Sequence, residues 1–396
     1  MHPSIMTVLN PFTTDLQLAK LLASPEGRNP HLVLAIANRA RIGGQLLHVL
    51  ASSYGAHAGN SNLKDSDSHF MMAIAQTIAK NPSTEADTLK LLLMSPTGSE
   101  PDIVLAIAEH PNTSNAILQI LVDEYASKVG GEHLQVSEHR FLASVAVALA
   151  KNPILDPKLM KTLLQSPAGQ IPAVVIAITQ NPRTPSSILT VLAESYGVHA
   201  GQSSNSIGDE YFFNRVANDL ASNPNTTNGI LTTLLQSPAG ENPSIVIAAA
   251  RHPNIDQALL QILTDEYGVH AKRDGLTPSE TRFLTGVASA IAHNPATSAQ
   301  QLTQLIQSSA GRLPEVALGI AEHFNTDQSL LAILAEEYGA KVGQPNLAQS
   351  DNNFLAAIAC AIASNPHTDE KTIELLKKSE AGKMPEVRSR LDRRAS

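Results

Sequence analysis

The chain of 396 residues has one cysteine, Cys360, and only 4% aromatic residues. Each scarcity removes a class of protein. A single thiol excludes an internal disulfide, an iron–sulfur cluster on four thiolates and a Cys-rich zinc site within one chain. Apolar stretches are broken by Pro, Asn or Lys well short of the roughly 18 residues that a membrane-spanning helix needs. The opening residues MHPSIMTVLNPFTT show neither a basic n-region nor an apolar h-region, so a soluble, cytoplasmic protein is expected. With 43% apolar residues and so few rings, the composition suits thin aliphatic layers of helix on helix rather than one deep core. A formal charge of −8 disfavours an extended phosphate-binding surface, which draws its affinity from clustered Lys and Arg. The exception is the stretch from Lys377 onward, where seven basic residues face three acidic ones.

What the chain has in abundance is repetition. Asn-Pro or His-Pro pairs, or their substitutes, place Pro11, Ala40, Pro82, Pro111, Pro153, Pro182, Pro224, Pro253, Pro295, Phe324 and Pro366 at steps alternating strictly between 29 and 42 residues. A 71-residue unit therefore runs five times without insertion or deletion, the signature of a repeat protein. The expected organisation is a single solenoid: a partial repeat 1–10, units 11–81, 82–152, 153–223, 224–294 and 295–365, and a half repeat with a basic cap at 366–396.

Each unit reads as four helical segments. A Thr two residues after the proline (Thr84, Thr113, Thr184, Thr226) is the expected N-cap of the helix that follows each beat, and Asp156 or Asp256 replaces it where Leu155 or Ile255 intervenes. Leu89, Leu92 and Leu93 form an apolar stripe. The Ser-Pro-x-Gly-x-x-Pro that follows, as at Ser24, Pro25, Gly27 and Pro30, reads as a turn in which Gly supplies an unusual backbone conformation and Pro opens the second helix. That spacing matches neither dinucleotide-binding nor P-loop fingerprints. The third helix closes at a tyrosine (Tyr54, Tyr125, Tyr196, Tyr267, Tyr338), with Gly55, Gly197, Gly268 and Gly339 as stops after four of the five. The fourth, introduced by pairs such as Ser66-Asp67 and Ser137-Glu138, read as a serine cap followed by an acid that suits the helix start, opens on Phe70, Phe141, Phe212, Phe283 or Phe354. Its expected buried face is Phe141, Val145, Ala146, Leu149 and Ala150.

The segments Ala148-Leu149-Ala150-Lys151-Asn152-Pro153 and Ile176-Ala177-Ile178-Thr179-Gln180-Asn181-Pro182-Arg183-Thr184-Pro185 resemble the A-x-N-P-x-T-P core of the bacterial leucine-rich repeat variant family. Pro385-Glu386-Val387-Arg388 resembles the opening of the second helix in those repeats and in HEAT-like repeats. The resemblance implies an all-α fold, a right-handed superhelix (α-solenoid) of α-helices and short, often 3₁₀, helices. It carries almost no function. Units of 29 and 42 residues depart from the family's repeat of about two dozen, and the N-terminal cysteine cluster known in one such protein has no counterpart.

Candidate sites come from positions where the repeats disagree. His57, Lys128, His199, His270 and Lys341 occupy one loop position; lying about 20 Å apart if helix layers are spaced 8–10 Å, they cannot share an ion, and no metal or cofactor is expected. No Ser-His-Asp or Cys-His set can be assembled, so an enzyme is not expected. The loops from Tyr to Phe keep a constant length while diverging in sequence, with Leu63, Leu134, Leu276 and Leu347 expected to pin them. The fourth helix of the third unit alone carries Tyr211, Arg215, Asn218 and Asp219; Arg215 and Asp219 have the spacing of a surface ion pair, and the four residues are candidate anchors for a protein or peptide partner. The C-terminal Arg388, Arg390, Arg393 and Arg394 read as a solubilising cap, with contact to nucleic acid or an acidic partner as the alternative. The expected function is a non-catalytic protein- or peptide-binding scaffold.

Overall fold

At each beat one helix stops because the residue before a proline is pushed out of the helical conformation. Asn81, ahead of Pro82, is extended (φ −75°, ψ 122°), ending the helix Asp65–Lys80, and the next helix starts at Ala86. The computed structural model describes residues 3–60, 62–344 and 347–395, and every regular element among them is a helix.

The chain divides into two compact units, Met1–Ile188 and Leu189–Ser396. In the first, the helices Pro30–Ala37, Asp65–Lys80, Pro101–Glu109, Val136–Lys151 and Pro172–Gln180 each pack on the next. A second row pairs Gly44–Ser53 with Ala86–Leu93 and Asn115–Glu124 with Pro157–Gln165. The second unit repeats the scheme: Ile207–Ser222, Pro243–Arg251, Pro278–His293, Pro314–Glu322, Gln349–Ser364 and Pro385–Ala395 follow one another, beside Gln257–Glu266 on Ala299–Gln307 and Gln328–Glu337 on Glu370–Lys378. Helices whose main contacts lie within their own or the adjacent repeat, layer after layer, make an α-solenoid. Between them run short 3₁₀ turns, such as Gly55–His57 against Pro96–Ser99.

The core is the aliphatic stripe of these helices. Ile103, Val104 and Ile107 on one helix and Val145, Ala146 and Leu149 on the next are fully buried, each large side chain contributing about 1.5–3 kcal/mol. The phenylalanines differ from expectation. They are half-buried and stand edge-on to the tyrosine of their own unit, with ring centroids 5.7 Å apart for Tyr125 and Phe141 and 5.3 Å for Tyr196 and Phe212. The fully buried face begins beyond them.

Three local assignments are corrected. The recurring threonine is not the N-cap. Its hydroxyl is buried and donates to the carbonyl six residues back, from Thr84 to Ile78, Thr113 to Ile107 and Thr297 to Ile291, each at 2.6 Å. The cap is the following residue, as when Ser114 accepts from Ile117 N or Asp256 from Leu259 N; the buried Leu155 and Ile255 thus substitute for a buried methyl and hydroxyl. Likewise Ser66 and Ser137 lie inside the first turn of the fourth helix, whose caps are Lys64 and Gln135; Glu138 closes a capping box by accepting from Gln135 N at 2.7 Å. Finally, the glycine of Ser-Pro-x-Gly has no positive φ. It is needed for close approach, since a Cβ on Gly98 would sit 1.8 Å from the carbonyl oxygen of Leu93. Left-handed backbone occurs instead five residues after the tyrosine, at Gly59, Gly130, Gly201 and Gly343, and at Lys272 with φ 61°.

The layers are also joined by a ladder of buried polar side chains at the Asn-Pro beat. Asn152 Nδ2 donates to the carbonyls of Ala108 (2.7 Å) and His110 (3.2 Å), while its Oδ1 accepts from Ile154 N. Where histidine replaces asparagine the same two roles are kept: His110 Nε2 donates to the carbonyl of Asn81 at 2.8 Å and Nδ1 accepts from Asn112 N at 3.1 Å. His252 and His323 repeat this in the second unit. Every rung thereby satisfies carbonyls that a helix end leaves without partners.

Candidate functional site

The helix Ile207–Ser222 begins at Ser206, whose hydroxyl accepts from Asp209 N. Its buried stripe is Val216, Ala217, Leu220 and Ala221. The opposite face presents Ile207 at 93% exposure and Tyr211 at 72%, with Arg215 following at the same four-residue spacing. Residues four apart share a helix face, so the three form one outward line. Arg215 Nε donates to Asp219 Oδ2 at 2.9 Å, which gives the pair the surface contact expected of its spacing. Asn218 lies one turn beyond Arg215, on the wall of an open groove of about 560 Å³ against the helix Pro243–Arg251. The geometry thus brings Tyr211, Arg215, Asn218 and Asp219 onto one helix, and it adds Ile207 and Arg251. Sequence comparison missed both, although the repeat phase holds the signal: Arg251 falls where earlier and later repeats carry Glu109 and Glu322.

The loop ahead of this helix is ordered by polar contacts. Leu63, Leu134, Leu276 and Leu347 are half-buried, consistent with pinning, but the third repeat has Asn205 at that position. Asn205 Nδ2 donates to the carbonyl of His199 at 2.7 Å and to Glu210 Oε2 at 3.0 Å, and Gly201 N donates to Glu210 Oε1 at 3.2 Å. Asn214 donates to the same carboxylate. These bonds, that from Asn205 foremost, hold the Glu210 carboxyl below the ordinary glutamate range.

The row His57, Lys128, His199, His270 and Lys341 lies at the ends of the 3₁₀ turns. Lys128 pairs with Glu124 at 2.9 Å and Lys341 with Glu337 at 3.3 Å, all exposed. His199 meets Gln202 Nε2 through Nδ1 at 3.0 Å and rests against the ring of Phe213. Among the described residues no three His, Cys, Asp or Glu side chains gather so as to hold a metal ion, and no helix is long and apolar enough to cross a membrane.

In the C-terminal helix Pro385–Ala395, Val387 and Leu391 are buried while Arg388 and Arg390 face outward. Arg390 donates to Ser364 Oγ at 2.9 Å and Arg388 lies 3.9 Å from Asp392. Arg394 donates to the carbonyls of Asn365, Pro366 and Thr368, so this guanidinium extends the polar ladder.

No protein-family model matches the chain, and no curated protein matches it. Among solved structures it is similar to the crystal structure of an engineered protein at 14% identity, covering 99% of this chain and 98% of that one with a TM-score of 0.37. A designed armadillo repeat protein matches at 10% identity, over 87% of this chain and 98% of that one, with a TM-score of 0.16. The chain's own repeats and helix packing define it as a helical repeat protein.

Proposed function

We propose that this chain is a non-catalytic scaffold that binds a protein segment or peptide along the exposed face of the helix Ile207–Ser222. The observation that carries the reading is the line of Ile207, Tyr211 and Arg215. A nearly fully exposed isoleucine and a largely exposed tyrosine stand one turn apart on a framework whose other rings are mostly paired Tyr–Phe contacts. Tyrosine and arginine are the side chains on which interface energy concentrates, and a rigid helix presents them at little ordering cost. The variable Tyr-to-Phe loops, with His57, Lys128, His199, His270 and Lys341 at their start, would extend the contact. The likeness of the repeats to the bacterial leucine-rich repeat variant family and a cytoplasmic location fit this role.

The test is selection of phage-displayed random dodecapeptides on the full chain, followed by affinity measurement on Tyr211→Ala and Ile207→Ser variants. The reading expects saturable binding that weakens by about tenfold or more on loss of the tyrosine; undiminished binding to both variants overturns it. A second reading, contact of the C-terminal basic helix with nucleic acid or an acidic partner, is favoured by Arg388, whose side chain is 73% exposed. Salt-sensitive retention on heparin that disappears in Arg388→Ala would establish it.

A further inference from the structure

The groove between the helices Ile207–Ser222 and Pro243–Arg251 has an equivalent two units earlier, between Asp65–Lys80 and Pro101–Glu109. The comparison is direct because the repeat has no insertions. In the earlier groove Gln76 Nε2 donates to Asp102 Oδ2 at 3.2 Å, and Lys80 and Glu109 line the same wall. Its donors and carboxylates come from the chain itself. In the later groove Asn218 takes the place of Gln76, Ser222 of Lys80, Ser244 of Asp102 and Arg251 of Glu109. Both carboxylates are gone and a guanidinium has entered. No side-chain hydrogen bond or ion pair joins Asn218 or Arg251 to another described residue.

We infer that this groove binds the carboxylate of an aspartate or glutamate side chain on an extended partner peptide. The ligand carboxylate supplies what Asp102 supplies in the equivalent groove, accepting from Asn218 and pairing with Arg251, while Ile247 and Ala248 give its methylenes an apolar floor. Charge-assisted hydrogen bonds of this kind are stronger than neutral ones. Arg251 lies in the last turn of its helix, where the negative end of the helix dipole favours its charge; the same position does not leave it a carboxylate partner. The inference rests on the peptide-binding reading above, for which it names the chemistry of one subsite.

The experiment is parallel selection of phage-displayed random dodecapeptides on the full-length wild type, on Arg251→Glu and on Ser244→Asp. The last variant restores the internal carboxylate of the earlier groove without touching the arginine, and both lie on the surface, so melting curves should match wild type. The expected result is an acidic residue fixed at one place in the wild-type peptides, and a loss of about tenfold or more for those peptides on either variant. Replacing that acid by its amide should cause a similar loss on wild type. Peptides that show no acidic preference, or that bind both variants undiminished, overturn this inference; if they still depend on Tyr211, the scaffold reading stands. Failure to select any saturable binder overturns both.

Discussion

Arg394 stands 29 residues after Asn365 and donates to its carbonyl, as Arg39 stands 29 residues after Asn10 and donates to its carbonyl at 3.0 Å. Both arginines occupy the Asn/His position of the beat, one near each end of the chain. Each reaches three carbonyls of the preceding turn, Arg39 those of Val8, Asn10 and Thr13. A guanidinium has five donors in a fixed fork, so one side chain can serve more carbonyls than Asn or His does.

Arg394→Ala should therefore loosen the last layer without unfolding the rest. Val387 and Leu391 remain buried, and the loss amounts to about 1 kcal/mol of local stability. Amide exchange in the helix Pro385–Ala395 is expected to quicken while that of Leu149 and Ile178 stays unchanged. Wild-type exchange at Leu391 would contradict the role given to the guanidinium.

The ladder also makes stability depend on pH. Burial, partly offset by the backbone bond from Nε2, holds His110 and His323 below the ordinary 6.5. The unfolded chain then binds protons that the folded chain refuses once pH falls through 6.5. Stability is flat above that value and declines below it, by up to about 1.4 kcal/mol per pH unit for each histidine, until pH passes the lower folded value. The double variant His110→Asn, His323→Asn should flatten this decline, because Asn181 fills an equivalent rung by donating to the carbonyls of Ala150 and Asn152. Urea titrations at neutral and mildly acidic pH measure the difference.

The solenoid was legible because the 29/42 beat needs no knowledge of contacts. What each beat residue does was less so. A threonine just before a helix reads as a cap, and only the packed structure shows that Thr84 is buried and aimed back at Ile78. Arg39 and Arg394 were in phase from the start, yet arginine does not look like asparagine until its carbonyl partners are seen. The groove at Arg251 was hidden differently. Asn218 and Ser244 lie on separate helices, so each substitution looks minor in sequence, and the loss of two carboxylates emerges only when the helices are brought together.

Lys272 offers a gain in stability. It adopts φ 61° where Gly59, Gly130, Gly201 and Gly343 stand in the other repeats. A side chain in the left-handed region costs about 1–2 kcal/mol, part of which glycine returns through the greater freedom of the unfolded chain. Lys272→Gly should raise stability by about 0.5–1 kcal/mol, seen as a higher urea midpoint at constant slope. Gly201→Ala should do the reverse and more, since a Cβ there would also lie 2.7 Å from the carbonyl oxygen of Pro238.

Gly98→Ala tests a different use of glycine. The φ at this position is ordinary, so the added methyl costs nothing through backbone conformation and would even favour the folded state by restricting the unfolded chain. Against that, the Cβ would fall 1.8 Å from Leu93 O and 2.5 Å from Leu93 C, and backbone atoms cannot turn aside as a side chain would. The 3₁₀ turn Pro96–Ser99 must then shift from the helix Ala86–Leu93, pulling Thr97 Oγ1 away from the carbonyls of Gly55 (2.5 Å) and Ala58 (2.9 Å). Overpacking and the loss of the buried hydrogen bond that the Thr97 hydroxyl shares between these two carbonyls together are worth about 3 kcal/mol or more. Thermal unfolding should show a large drop, and Thr97→Val, which removes only the hydroxyl, should account for a minor part of it. A Gly98→Ala protein as stable as wild type would show that the turn has room that the close approach denies.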